Sequence, residues 1–122
     1  MTEPEKKKSK SLKWVGSSKK DLSEFPEEVR FEMGFALYTA QLGETHESAK
    51  MFKGHGSGVY EVVSDHDKNA YRAIYVVNLG DAVYVLHAFQ KKSKKGIATP
   101  KEEITVVEAR LKQLKQTLKE KG

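Results

Sequence analysis

The chain has 122 residues, 38% of them apolar and 32% charged, with 22 Lys and Arg against 17 Asp and Glu and a formal net charge of +5. That length holds one domain with a single modest core. The lack of cysteine excludes disulfides and thiolate metal sites, and no apolar run approaches the roughly 18 residues of a membrane span.

The N-terminus, MTEPEKKKSK, has no apolar segment behind its charges. It does not read as a secretory signal, and the protein is expected in the cytosol. Residues 1–10 offer nothing to bury and are expected to form a disordered basic tail; residues 11–120 are expected to form one domain. In that domain, SLKWVG at residues 11–16 reads as a first strand, apolar at Leu12, Trp14 and Val15. Ser18 and Asp21 are spaced like a weak capping box for a short helical turn. Pro26 suits the first position of a longer helix. Val29, Met33, Ala36, Leu37 and Ala40 recur at spacings of three and four, which gives that helix one apolar face. Gly43 is placed to stop it.

KMFKGHGSG reads as a loop. Three apolar and β-branched runs follow, starting at Val59, Ala70 and Ala82, separated by turn chemistry at residues 65–69 and 79–81. They predict an antiparallel three-stranded meander covered by helices on one side. Thr99, Pro100 and Glu102 mark a helix start, and Ile104, Val107, Leu111, Leu114 and Leu118 form one stripe along that helix. The predicted class is α+β: a small antiparallel sheet of the N-terminal strand plus the meander, with two N-terminal helices and a C-terminal helix.

The positive balance points to an anionic partner, nucleic acid first and an acidic protein second. Lys91, Lys92, Lys94 and Lys95 fall within five residues, with no acid before Glu102. Their mutual repulsion would be relieved by an anion, although a plain solvated loop has the same composition. Arg72 stands in an otherwise apolar and aromatic strand. It reads either as a structural ion pair with Glu61 or as a guanidinium offered to a phosphate. His87 alternates in phase with Val85 and Phe89, and reads as a satisfied core histidine or a proton carrier. Tyr60, Tyr71, Tyr75 and Tyr84 fall on strands, where most pack and one could stack on a base. Gly54, Gly56 and Gly58 lack the strand and helix that a phosphate loop needs. The four histidines have no metal-ligand spacing.

YRAIY around Arg72, the strand YVLHAFQKKSKKG and the exit ATPKEEI, followed by a leucine-striped helix, resemble the phage-related, HigB-like members of the RelE/ParE toxin superfamily. The resemblance spans residues 12–118 and implies a RelE-like fold. It also implies a ribosome-dependent messenger-RNA endonuclease, the toxin of a type II toxin–antitoxin pair. In that chemistry the RNA 2′-hydroxyl attacks the adjacent phosphate and needs no metal or cofactor. By resemblance, Arg72, His87, Lys92 and Lys94 would be catalytic, and Lys91, Lys95, Lys53 and Tyr60 would hold RNA. The expected partners are messenger RNA on the ribosome and a helix-turn-helix antitoxin; operator DNA would be reached only through the antitoxin, and no membrane is involved. One departure is Val63, where many relatives carry an arginine two residues beyond the glutamate. The sequence also admits two alternatives: a ParE-like gyrase inhibitor, and a non-catalytic RNA- or ribosome-binding module.

Overall fold

The computed structural model describes residues 9–92 and 99–121, the side chain of Lys92 excepted. The element order is β1 (Ser11–Trp14), α1 (Ser18–Ser23), α2 (Glu27–Gln41), β2 (Ala49–Met51), β3 (Val59–His66), β4 (Asn69–Leu79), β5 (Ala82–Lys92) and α3 (Lys101–Lys121). The expected disordered tail lies outside the described residues except for Ser9 and Lys10. Among the described residues no helix is long and apolar enough to cross a membrane.

The α+β class, the N-terminal strand and the meander are as the sequence predicts. The sheet is mixed rather than antiparallel, and it has five strands in the order β1-β5-β4-β3-β2. β1 runs parallel to β5, with Ser11 opposite Ala82 and Trp14 opposite Val85. Parallel pairing follows from the long α1-to-β4 excursion between the two strands, which returns the chain to the same end of the sheet. The segment expected as a loop begins inside β2, sharing Lys50 and Met51 with it; β2 pairs antiparallel to β3 from Ala49–Val62 to Met51–Tyr60. Three residues are too few for a period-two signal.

Helices cover both faces of the sheet, where the sequence predicts one. Val29, Met33, Ala36, Leu37 and Ala40 of α2 pack with Leu22 and Phe25 onto Tyr71, Ala73, Tyr75, Val83 and Val85. On the other face Val107 and Leu111 of α3 meet Val59, Ile74, Val76, Leu86 and Phe89. Alternate residues of β4 thus feed two cores, which is why this strand reads as a continuous apolar run. Glu32 ties α2 to the sheet by accepting hydrogen bonds from the Ser48 and Ser64 hydroxyls. Ser18 does not cap α1; its buried hydroxyl donates to the Val85 carbonyl at 3.0 Å. Pro26 stands at the cap position of α2, one residue before the helix.

Candidate functional site

Arg72 lies on β4, the middle strand of the sheet, opposite Val63 of β3 and Phe89 of β5. Directly opposed residues share a face, so Arg72 lies on the α3 side with Val63, Phe89 and, two positions along, Lys91, which is opposite Ala70. Arg72 is only 6% exposed. Its Nη1 donates to Glu61 Oε2 at 3.0 Å and to Thr99 Oγ1 at 3.1 Å, and the Thr99 hydroxyl donates to the same carboxylate at 2.9 Å. The ion-pair reading of Arg72 is therefore realised. Thr99 completes the triangle from the chain just before α3, so its hydroxyl serves the site rather than the helix cap. Arg72, Glu61, Val63, Asp65 and Lys50 line a cleft of about 430 Å³ at the β2–β3 edge. An arginine at position 63 would project beside Arg72.

His87 is 7% exposed. Its Nε2 lies 2.6 Å from Glu103 Oε1 in the first turn of α3. Its ring stacks on Phe89 at 5.1 Å. Arg110 Nη1 donates to the Leu86 carbonyl at 2.9 Å and lies 3.4 Å from His87 Nδ1. A guanidinium only donates, so Nδ1 accepts and the ring hydrogen is assigned to Nε2, which donates to Glu103. Arg110 Nη2 also reaches Ser17 Oγ at 3.1 Å. Sequence parity placed His87 in phase with both Val85 and Phe89. In the structure the register passes from Ile74–His87 to Tyr75–Val85, leaving Leu86 as an extra residue. This bulge puts His87 on the α3 side with Phe89 while Val85 faces α2. A cleft of about 440 Å³ opens beside His87 and Glu103, walled by Phe89, Tyr71, Asp21 and Glu24.

The other expected site residues are dispersed. Tyr60 lies on the α2 face, stacked on Tyr75 at 5.6 Å, across the sheet from Arg72. Burial first, and the neighbouring Tyr60 second, push the Tyr75 hydroxyl up to about 12. Lys53 is exposed in the β2–β3 loop, which meets α3 through His55 and Glu108. The four-residue step from Val59 to Val63 separates this loop from the Arg72 row by roughly 13 Å along β3. The Lys92 backbone is opposite Asn69 at the end of β5. Lys94 and Lys95 lie outside the described residues. Among the described residues no three His, Asp or Glu side chains form a metal-binding group.

Glu103, Arg110 and Thr99 are site residues that the sequence reading did not assign. A signal existed for two of them. Positions 103, 107, 110, 111 and 114 recur at helical spacing, so Glu103 and Arg110 are charges on the sheet-facing stripe of α3. The site thus holds an arginine–carboxylate ion pair and a histidine–carboxylate hydrogen bond flanking Phe89, with a lysine-rich stretch following in sequence. The pairs hold their members in fixed orientation, and the excess positive charge comes from the lysines.

No curated protein matches the chain. Among solved structures it is similar to a chain of the toxin–antitoxin complex RelBE2 from Mycobacterium tuberculosis, with TM-score 0.48 and 13% identity, over 74% of this chain and 100% of that one. The family described as phage derived protein Gp49-like (DUF891) matches residues 20–112, from α1 through the sheet to the middle of α3. The chain belongs to this Gp49-like family.

Proposed function

We propose that this protein is the toxin of a type II toxin–antitoxin pair and cuts messenger RNA bound in the ribosomal A site. The observation that carries the reading is the position of Arg72. One buried guanidinium shares its sheet face with Lys91 and bonds Thr99. In sequence, Lys92, Lys94 and Lys95 fall between those two residues. The HigB-like motif supports the same conclusion.

In the proposed reaction the 2′-oxygen forms a bond to phosphorus and the P–O5′ bond breaks. A 2′,3′-cyclic phosphate and a free 5′-hydroxyl result. Negative charge grows on the phosphoryl oxygens, where preorganised cations lower the barrier by several kcal/mol. Lys92 and Lys94 supply that charge, and Lys91 and Lys95 grip the flanking backbone. Arg72 contributes a fixed positive charge on the face of Lys91 and holds Thr99, the residue from which the chain enters α3. Both His87 nitrogens face protein partners, so the proton-transfer role passes to the His87–Glu103 pair, with Glu103 as its more accessible member. A helix-turn-helix antitoxin would restrain the protein and carry it to operator DNA.

Mapping RNA 5′ ends in cells after brief induction tests this. New ends inside translated messages are expected, and Glu103→Gln should reduce them by about 10²-fold or more. Arg72→Ala should abolish them, with folding checked separately because Glu61 loses its partner. Unchanged cleavage in Glu103→Gln removes the pair from the mechanism. The two carboxylates already bound to Arg72 and His87 favour one other reading, a non-catalytic RNA-binding module. It predicts salt-sensitive ribosome binding with no new 5′ ends.

A further inference from the structure

α2 is apolar on two sides. Its inner side is core. On its outer side Phe31, Phe35 and Tyr38 are 77%, 56% and 55% exposed. Spacings of four and three put their rings on one face, in a ribbon about 10 Å long. A contiguous aromatic strip of this kind marks a binding surface, whereas isolated exposed apolar residues do not.

Gly34 falls on the same side, beside these rings. It does not have a positive φ, and a Cβ at this position would meet nothing within 4 Å beyond its own helix and neighbours. Glycine inside a helix lowers stability, and no close approach among the described residues accounts for it. A bare backbone flanked by aromatic rings suits the close approach of another helix.

The charge around the ribbon selects the occupant. Glu27 and Glu28 occupy the first turn of α2, and Glu24 precedes it. Past the other end come Glu44 and Glu47, near His46, whose ring packs on Phe35 at 5.4 Å. The only cation of α2 is Arg30, which donates to the Phe25 carbonyl. The surface is acidic on a chain of net charge +5. A second copy would set these acids against one another. Residues 1–8 of the chain offer little apolar surface beyond Met1. We infer that the outer face of α2 docks a basic amphipathic helix of another protein, with an apolar stripe against Phe31, Phe35 and Tyr38, its backbone over Gly34 and its lysines or arginines toward the flanking glutamates. The inference is independent of the nuclease reading.

Two labelled synthetic helices sharing one leucine stripe, one flanked by lysine and one by glutamate, are titrated with the full chain. The lysine-flanked helix is expected to bind about ten-fold tighter or more, although the protein itself is basic. Phe31→Ser and Gly34→Gln should each weaken it by about ten-fold or more. Gly34→Gln should melt no lower than the parent, which separates lost docking from lost folding. Equal binding of the two helices, or undiminished binding by Gly34→Gln, overturns the proposal. So does a sedimenting dimer that Gly34→Gln dissociates, because it gives the face to a second copy.

Discussion

Arg72 shows what a single residue does when buried beside a carboxylate. Removing one member of such a pair leaves a buried charge uncompensated and costs about 3–5 kcal/mol. Arg72→Ala therefore confounds folding with function more than Glu103→Gln does, since Glu103 lies at the open side of its pair. Tyr75 makes a cleaner residue-scale prediction. Its hydroxyl is held up to about 12 against an ordinary 10.0. Below about pH 10 the phenol is neutral in both folded and unfolded chains. Above that, the unfolded chain ionises first, so stability falls as pH rises from 10 toward 12. The loss is about 1.4 kcal/mol by roughly pH 11. Urea midpoints at the two ends of this window should fall further for the parent than for Tyr75→Phe. Equal falls would mean that Tyr75 ionises alike in both states.

At the scale of elements, the β3–β4 hairpin closes through Asp67 and Lys68, both at positive φ (50° and 67°). That is the backbone of a two-residue primed turn, where glycine is favoured second. A lysine in this region is disfavoured by roughly 1 kcal/mol. Lys68→Gly should therefore stabilise the protein by about 0.5–1 kcal/mol, read as a higher melting temperature; a lower one would show that Lys68 makes a contact of greater value. This hairpin was legible in the sequence, as were α2, the remaining meander and the start of α3, because each carries a strong period or turn signal. Three features were not. β2 is too short for a period. The direction of β1 depends on where the chain returns. The bulge at Leu86 resets the parity from which His87 was placed. Tyr60 is a different case. It adjoins Glu61, and once Glu61 is taken as the partner of Arg72, alternation alone sends Tyr60 to the other face.

A second element-scale device links α1, β5 and α3. Gly16 has φ +57°, and a Cβ there would lie 2.7 Å from the Arg110 guanidinium carbon. Gly16→Ala should be strained in its own backbone and should displace Arg110 from Leu86 and His87. Loss of stability of about 1–2 kcal/mol is expected. The NMR chemical shifts of the His87 ring should move as well, which a purely local strain at position 16 would leave alone.

Across the whole molecule, charge is divided by the sheet. α2 carries Glu27, Glu28 and Glu32 against Arg30 on one side. The opposite side holds Lys91 and an α3 whose five lysines and Arg110 outnumber Glu102, Glu103, Glu108 and Glu120. A small protein so divided can take two partners of opposite charge at once, an anionic polymer on the α3 side and a basic helix on α2. The polymer side makes a quantitative demand. Each lysine bound to a single-stranded phosphate releases counterions and adds about 0.7 to the slope of log affinity against log salt. If Lys91, Lys92, Lys94 and Lys95 all grip backbone, changing the four to glutamine should reduce that slope by about 3. RNA binding measured from low to moderate salt gives the slope directly. The same substitution should leave helix docking on α2 unweakened, because it leaves α2 unchanged and Lys91 lies on the other face of the sheet. A slope that does not change would place the RNA contact elsewhere and remove the lysine stretch from the proposed reaction.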